Sequence, residues 1–365
     1  MSTAGDTNKR HSNSPSDASA KRRKIVNRTK PDGLTREQLD ETTCYIKDGL
    51  RHVNPYYFNF KTFTKGRWVN RKILDVMVSE FSGHDEDYYK KKIKNGDIRI
   101  NDEIIQEDTL LRHGDELSHR THRHEPPVVA NDIQFIHTDD DLIVIDKPAS
   151  IPVHPCGRYR HNTVLYVLAK EHSLDHLHPI YRLDRLTSGI LVLARSAKIA
   201  AKYGGMMEDK LIQKEYLAKV DGNFPDEEQD VDAAIVVQRG GNVINTVSSE
   251  GKESRTIFQK MSYDPEEDTS IIRVHLHHLG HPISNDPLYG RGKKSSLSSE
   301  NNITPQEASD PDCPECMRPH LAPDEEQLSL YLHAHRYSTP QWSYETQFPP
   351  WAKTKTETSS TTSQT

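Results

Sequence analysis

Residues 178–194 read HPIYRLDRLTSGILVLA and decide how the larger part of the chain folds. The stretch begins polar, passes through a Thr-Ser-Gly turn and ends in an apolar run of strand length, which predicts a buried strand entered from a turn. Asp184 stands between Arg182 and Arg185, and a carboxylate beside guanidinium groups stays ionised. Such a carboxylate is a competent nucleophile or base; the alternative is an ordinary turn with a surface ion pair.

The sequence before this stretch predicts further strands. Ile133 and Phe135 precede a turn of three aspartates at 139–141, and residues 142–145 are continuously aliphatic. Ahead of them, the sequence HEPP at 124–127 interrupts regular structure, because proline lacks a backbone donor and restricts the residue before it. We therefore predict a linker here and a new domain that begins near residue 131.

Four motifs in order resemble those of the RluA-type pseudouridine synthases. Arg182-Leu183-Asp184, followed by Thr-Ser-Gly at 187–189, resembles their H-R-L-D-x-x-T-S-G motif. The other three are their opening motif, here LIVIDKPASIPVHP at 142–155, their K-x-Y-x-A-x-V-x-G element, here KEYLAKVDG at 214–222, and their closing motif, here GHPISNDPLYG at 280–290. The resemblance covers about residues 133–290, and the linker is similar to that of the eukaryotic branch.

The resemblance implies an α+β fold, namely a pseudouridine synthase domain with a largely antiparallel mixed central sheet, preceded by a small α+β RNA-binding module. It implies isomerisation of uridine in RNA, with tRNA as the expected partner, no cofactor and no obligate protein partner. Asp184 is implied to be the catalytic carboxylate, acting as nucleophile at the sugar or as base toward its 2′ proton. Tyr216 would stack on the uracil or help to deprotonate it, and Arg273 would pair with Asp184 and keep it charged.

A uridine inside a helix cannot be reached, so it must be flipped out at a cost of a few kcal/mol. By the same resemblance Arg182 would occupy the vacated space, with Arg185 as a further RNA contact.

Residues 61–124 form a compact basic segment. Apolar residues at helical spacing over 73–81 and the run YYKKKIK at 88–94 predict two helices that stop at Asn95-Gly96, and alternation over 97–101 predicts a strand. The segment resembles the alpha-L RNA-binding motif. The RNA-binding side chains predicted here are Lys90, Lys91, Lys92, Lys94 and Arg99, with Tyr88 and Tyr89 as stacking surface. The alternative is a solvated helix face.

Two departures from the family pattern matter. Tyr181 replaces the histidine before Arg182, which we interpret as a change of a supporting residue. About ten residues of the family's P-L-T-G-R-T-H-Q-I-R-V-H-L element are missing before Arg273, where residues 268–272 run directly into it. A central strand and the pairing of Arg273 with Asp184 could both be disturbed. The alternative function is therefore a catalytically impaired RNA-binding isoform.

Composition sets the remaining limits. The chain has 365 residues, a formal charge of −6 and only 33% hydrophobic residues, and the acidic excess lies from Glu300 onward. No apolar stretch approaches the about 18 residues of a membrane span, and we expect no secretory signal because the N-terminal residues lack an apolar core. We expect an intracellular protein of the cytoplasm or nucleus, with the mitochondrion less favoured. The basic cluster at 21–24 fits a nuclear-import signal or a solvated, phosphate-contacting cluster.

The domain prediction is a basic disordered tail and leader over 1–60, the RNA-binding module over 61–124, the synthase domain over 131–352 with a surface insert at 292–326, and a disordered tail over 353–365. No metal site is predicted, but Cys313 and Cys316 have the spacing of a zinc-binding pair. Two more ligands would have to come from His320, His333, His335 or elsewhere.

Overall fold

The structure is a computed structural model that describes residues 33–81, 83–239, 243–251, 253, 255–270, 281–287, 310, 312–317, 323 and 325–353. Residues 1–32 of the predicted N-terminal tail and leader, Arg273 and His320 lie outside these ranges. Within the ranges, no helix combines the length and the apolar character that crossing a membrane requires.

The N-terminal part of the described chain contains small sheets and short helices. Its elements are α1 (Arg36–Leu39), β1 (Cys44–Lys47), β2 (Leu50–Val53), β3 (Tyr56–Phe63), α2 (Ile73–Glu80), α3 (Glu86–Lys94), β4 (Ile98–Ile100), β5 (Glu103–Ile104), β6 (Glu116–Arg123) and β7 (Val128–Val129). Strands β3, β6, β4 and β5 form one sheet, and β1, β2 and β7 form another.

Local sequence accounts for the two longer helices of this part. Asp85 caps α3, since its carboxylate accepts a hydrogen bond from the Tyr88 amide at 2.9 Å. The helix stops before Asn95 and Gly96, and Gly96 adopts a positive φ of 72°. Trp68, Ile73 and other apolar side chains of the module pack into a buried cluster under α2 and α3. The predicted pair of helices, their stop and the following strand are confirmed.

Strand β3 crosses the boundary that the sequence places at residue 60. It pairs with β6 along its whole length, from Tyr56 opposite Arg123 to Phe63 opposite Glu116. The preceding residues also form β1 and β2, so the stretch from Gly33 to residue 60 is ordered structure rather than a leader. Composition does not reveal this, because β1 and β3 expose most of their residues and so lack a strong apolar pattern.

The rest of the described chain is richer in strands. Its elements are β8 (Gln134–Thr138), β9 (Leu142–Lys147), α4 (Val164–His172), β10 (His178–Pro179), β11 (Ser188–Ala194), α5 (Ala197–Glu208), β12 (Gln213–Ala218), β13 (Val220–Asp221), β14 (Gln229–Asp232), β15 (Ile235–Arg239), β16 (Val243–Val247), β17 (Arg255–Phe258), β18 (Tyr263–Asp264), β19 (Thr269–Ser270), α6 (Glu325–Leu328), β20 (Leu332–Ser338) and β21 (Ser343–Glu345).

The central sheet has seven strands in the order β12-β20-β11-β9-β8, with β10 beside β11 and β21 beside β20. The β11–β20 pair is parallel and the other pairs are antiparallel. This topology confirms the predicted α+β class with a largely antiparallel mixed sheet. The middle strands are continuously apolar because both faces are covered: residues 142–145 of β9 and 189–194 of β11 are all buried.

Strand β13 holds the chain on both sides of the shortened element. Val220 pairs with Ser270 on one side and bridges Ile283 on the other. Ser270 is buried, and its hydroxyl donates to Gly222 O at 2.8 Å. Residues 271–280 lie outside the described ranges. The residues on either side of them, Ser270 and Ile283, both pair with Val220.

Candidate active site

Four residues on neighbouring strands form a line across the central sheet, which we call the strand-end row. Lys147 on β9 lies opposite Gly189 on β11, Gly189 lies opposite Ala334 on β20, and Ala334 lies opposite Tyr216 on β12. Asp184 lies in the turn that feeds β11 just before Gly189. Strand register therefore brings three of the separate sequence motifs to one end of the sheet.

Gly189 permits this arrangement because a larger residue does not fit. Its φ is +106°, and a Cβ built on it would lie 2.3 Å from the carbonyl oxygen of Ala334 and 2.5 Å from its nitrogen. Those atoms belong to a buried backbone and cannot move aside. The glycine of the Thr-Ser-Gly turn is thus required by the close approach of β11 to β20.

Lys147 is completely buried beneath the turn that carries Asp184. Its ammonium group donates to the carbonyl oxygens of Pro148 and Ile151, both at 2.9 Å, and of Arg185 at 3.3 Å. Burial lowers the pKa of Lys147 to about 7, and the nearby Asp184 carboxylate opposes that fall. One lysine thus ties the loop after β9 to the backbone of the predicted catalytic segment.

Asp184 is exposed on a turn whose neighbours are fixed. Leu183 and Thr187 are buried on either side, and the Thr187 amide donates to Asp184 O at 3.2 Å. Asp184 is thus exposed on a turn that is fixed at both ends and leads directly into β11. A cavity of about 770 Å³ lies elsewhere, between the N-terminal sheet and the segment of Asp310 and residues 312–315, and neither Asp184 nor Tyr216 lines it.

The two arginines beside Asp184 contact ring systems. The Arg182 guanidinium is exposed and lies 3.5 Å from His154 Nε2, while the Arg185 guanidinium lies 5.6 Å from the Tyr159 ring centroid. His154 belongs to the opening motif, and Tyr159 belongs to the loop that follows it. The turn around Asp184 therefore contacts both the end of the opening motif and the loop that follows it.

Tyr216 is 38% exposed and belongs to a group of three tyrosines. Its hydroxyl is hydrogen-bonded to that of Tyr337, which is fully buried, and the Tyr337 ring lies 5.0 Å from that of Tyr181. Burial raises the pKa values of Tyr181 and Tyr337 well above the ordinary value. The Tyr181 hydroxyl donates to Ile190 O at 2.9 Å, so the residue that departs from the family histidine braces β11.

The predicted RNA-binding side chains of the module fall into a solvent-accessible group and a buried group, and the accessible group is Lys90, Lys91, Lys94 and Arg99. Lys90 pairs with Glu86 at 2.7 Å, Lys91 pairs with Asp312 at 2.5 Å, and Lys94 is exposed. The Arg99 side chain is exposed as well, and its Nε donates to Gly96 O at 2.8 Å.

Two of the module's predicted RNA contacts require correction. Lys92 is 3% exposed, and its ammonium group lies 3.1 Å from Asp97 Oδ2. Tyr89 is buried, and its hydroxyl donates to Phe81 O. Neither side chain can reach RNA, because both belong to the core face of α3.

Sequence reasoning missed two aromatic and basic patches on β3 and β6, which the alternation of side chains along a strand places on opposite faces of the sheet. Tyr57 and Phe60 are exposed, the Arg120 guanidinium lies 3.7 Å from the Tyr57 ring centroid, and that of Arg123 lies 5.2 Å from the Phe60 ring centroid. The signal was present as the aromatic residues of YYFNFKTF at 56–63, most of which belong to the predicted leader.

The cysteine pair has partners other than those the sequence favoured. His122 and His124 lie beside Cys313 and Cys316. His333 is engaged elsewhere, since its ring accepts or donates bonds with Ser188 Oγ at 2.9 Å and Thr346 Oγ1 at 2.6 Å. His122 and His124 escaped notice because they belong to a different predicted domain.

Comparison with known proteins identifies the family. Residues 141–278 match the family model described as RNA pseudouridylate synthase. The chain is 45% identical over 264 residues to Pseudouridylate synthase RPUSD2 of Mus musculus, covering 69% of this chain and 48% of that protein, so it spans about half the length of that relative. It is 37% identical over 366 residues to RNA pseudouridine synthase 7 of Oryza sativa subsp. japonica, covering 86% of this chain and 93% of that protein.

A yeast relative extends the match to a protein named for tRNA. The chain is 36% identical over 372 residues to tRNA pseudouridine(32) synthase, mitochondrial, of Saccharomyces cerevisiae, covering 86% of this chain and 80% of that protein. The resemblance predicted from the four motifs is thereby confirmed. The chain belongs to the RNA pseudouridylate synthase family.

Proposed function

We propose that this chain isomerises uridine to pseudouridine in RNA, with Asp184 as its catalytic carboxylate. The observation that carries the proposal is the strand-end row, which brings the turn of Asp184 and the ring of Tyr216 to one end of the central sheet. The reaction breaks the bond between uracil and ribose, turns the base and joins its carbon 5 to the same sugar carbon. Electrons and atoms balance within the substrate, so the mechanism requires neither an oxidant nor a group donor.

Asp184 has two possible roles in this reaction, and we keep both. Its exposed carboxylate can attack the anomeric carbon of the ribose, or it can accept the 2′ proton of the sugar. Either role needs a fixed carboxylate, and the buried residues on both sides of Asp184 supply that rigidity. Arg273 lies outside the described residues and keeps its proposed role as the partner of Asp184.

Tyr216 is proposed to contact the flipped uracil. Its hydroxyl is already held by Tyr337, and more than a third of the residue is exposed, so the ring is oriented and still offers a surface for stacking. Arg182 is proposed to occupy the space that the uridine leaves. Its guanidinium is exposed beside His154, where it can reach a base or a phosphate.

We propose tRNA as the substrate, because the yeast relative is named for it. Two patches, Tyr57 with Arg120 and Phe60 with Arg123, support RNA binding, since bases stack on exposed aromatic rings and phosphates pair with arginine. Lys90, Lys91, Lys94 and Arg99 remain proposed contacts at the edge of the module. For the location, we propose the cytoplasm or nucleus, to be checked by imaging a fluorescent fusion of the full chain.

The catalytic proposal is tested by mapping carbodiimide-reactive uridines in unmodified tRNA after incubation with the purified full chain. We expect new pseudouridine with wild type and none with Asp184→Asn, while both bind tRNA with similar affinity. Asp140→Asn, at another exposed aspartate, is the matched control and should retain activity. Product from Asp184→Asn at the wild-type rate would overturn the role of Asp184.

The same assay separates the alternative function. Wild-type protein that binds tRNA but forms no pseudouridine supports the RNA-binding isoform, for which the residues missing before Arg273 are the specific observation. The patch of Phe60 and Arg123 is tested by Phe60→Ala. This change should weaken tRNA binding about tenfold, since one base–aromatic stack contributes about 1–3 kcal/mol. Phe135→Ala, another exposed aromatic residue on β8, should bind tRNA like wild type.

A further inference from the structure

Two histidines and two cysteines converge between the N-terminal sheet and residues 312–317. One ligand atom from each of His122, His124, Cys313 and Cys316 lies within 4.8 Å of the other three. All four cysteines of the chain are described, and none of them is in a disulfide. The set combines two imidazoles and two thiols, which is the Cys₂His₂ composition of tetrahedral zinc sites.

The distances match those that a shared metal imposes. Zinc lies about 2.3 Å from sulfur and about 2.0 Å from nitrogen, so tetrahedral ligands are separated by about 3.5 Å for sulfur and nitrogen and about 3.3 Å for two nitrogens. Cys316 Sγ lies 3.3 Å from both His122 Nδ1 and His124 Nε2, and Cys313 Sγ lies 3.5 Å from His124 Nε2. The two imidazole nitrogens are 3.2 Å apart.

Local structure explains why these side chains meet. His122 lies at the end of β6 and His124 follows two residues later, so the period of a strand turns both rings to one side. Cys313 and Cys316 flank a Pro-Glu turn, and the Cys313 amide donates to Asp310 O at 3.1 Å. The tight turn points both thiols toward the histidines.

Ion pairs on both sides hold the cysteine turn in place. The Asp312 carboxylate lies 2.5 Å from Lys91 Nζ, on α3 of the module. The Glu315 carboxylate lies 2.6 Å from an Arg158 guanidinium nitrogen, in the loop that also carries Tyr159. Because Tyr159 contacts Arg185, the cysteine turn is linked to the loop that supports the turn of Asp184.

We propose that His122, His124, Cys313 and Cys316 bind one Zn²⁺ as a structural site that fastens the segment 312–317 to the module. Four protein ligands complete a tetrahedron and leave no open position, which is the arrangement of structural rather than catalytic zinc. Two thiolates and two neutral imidazoles also balance the charge of the ion. The site is separate from Asp184 and Tyr216, so it does not depend on the proposed reaction.

The test uses the full chain without a histidine tag, purified under reducing conditions and dialysed against excess zinc and then buffer. We expect one zinc per chain by elemental mass spectrometry, and loss of most of it in Cys316→Ser. Cys156→Ser, at an exposed cysteine outside the cluster, should retain the metal. A metal content near zero in wild type, or full content in Cys316→Ser, would overturn the proposal.

A second measurement keeps the test decisive if Cys316→Ser does not fold. Wild-type protein loaded with Co²⁺ should show the visible bands of a tetrahedral ion together with thiolate-to-cobalt charge transfer. Removing the metal with a chelator should lower the midpoint of thermal unfolding, and adding zinc should restore it. Octahedral cobalt bands, or a Cys313–Cys316 disulfide that forms without any metal, would contradict the site.

Discussion

The central sheet and the N-terminal module each bury a lysine, and they hold it in different ways. Lys147 is surrounded by carbonyl oxygens at the strand-end row, with the Asp184 carboxylate near enough to affect its pKa. Lys92 in the module makes a direct ion pair with Asp97. The carbonyl oxygens around Lys147 carry only partial charges, so burial can lower its pKa. The carboxylate of Asp97 carries a full negative charge, which balances the charge of Lys92 directly.

The difference separates a lysine that supports a reactive turn from one that supports a fold. Lys147 connects the loop after β9 with the backbone of Arg185, so moving it would move the turn of Asp184. Lys92 joins α3 to the start of β4 through its ion pair with Asp97, and both residues lie in the module. We therefore expect changes around Lys147 to affect stability and product formation together, and changes at Lys92 to affect stability.

The largest loss of stability is expected from a change at Gly189, the residue that lies opposite Lys147 in the central sheet. We expect Gly189→Ala to lower the free energy of unfolding by about 4 kcal/mol, because its Cβ would collide with the backbone of Ala334 and its φ is positive. Denaturant unfolding followed by circular dichroism measures this loss. Gly49→Ala is the control: its φ is also positive but nothing lies near the added methyl group, so its cost should be about 1 kcal/mol. Equal losses would show that the close approach to Ala334 is not limiting.

The second prediction concerns pH. The pKa of Lys147 is lowered to about 7 in the folded chain, while an unfolded lysine titrates near 10.4, so the unfolded state binds more protons between these values. Stability should rise with pH across that window. Between pH 7 and pH 9, the free energy of unfolding of wild type should increase by about 2 kcal/mol relative to Lys147→Met. Parallel pH profiles for the two proteins would mean that Lys147 stays charged while buried.

Periodicity and turn chemistry were enough to predict the main elements of both regions. The aliphatic run of β9, the strand after the Thr-Ser-Gly turn and the end of α3 at Asn95-Gly96 all follow from local sequence. The core position of Lys92 was within reach too, since it lies three residues after Tyr89 and beside Ile93 on one face of α3.

Contacts between distant segments could not be predicted in this way. The burial of Lys147 depends on the turn of Arg185 lying over the end of β9, and the need for glycine at 189 depends on β20, far along the chain. The meeting of His122 with Cys316 depends on the path of a segment in another predicted domain. Such pairs are set by strand register and packing, which a single sequence does not encode in its local pattern.

The third prediction sharpens the module's side of the comparison. Lys92→Met should lower the free energy of unfolding by about 1–2 kcal/mol, because Asp97 then loses its buried partner but keeps Arg120 at 3.5 Å. The double variant Lys92→Met/Asp97→Asn removes the stranded charge and should recover part of this loss. Chemical denaturation of wild type, Lys92→Met, Asp97→Asn and the double variant gives the coupling energy between the two side chains. A coupling energy of zero would show that the ion pair between Lys92 and Asp97 does not contribute to stability.

The smallest effect is expected two residues earlier on the same helix. Lys90 pairs with Glu86 one turn away on the exposed side of α3, and such pairs contribute about 0.3–0.5 kcal/mol. Lys90→Met should therefore lower the free energy of unfolding by less than about 0.5 kcal/mol, and the loss should shrink further as salt is added. Unfolding curves at low and high ionic strength measure both. If Lys90→Met costs as much as Lys92→Met, burial does not distinguish the two lysines, and the contrast between core and surface on α3 fails.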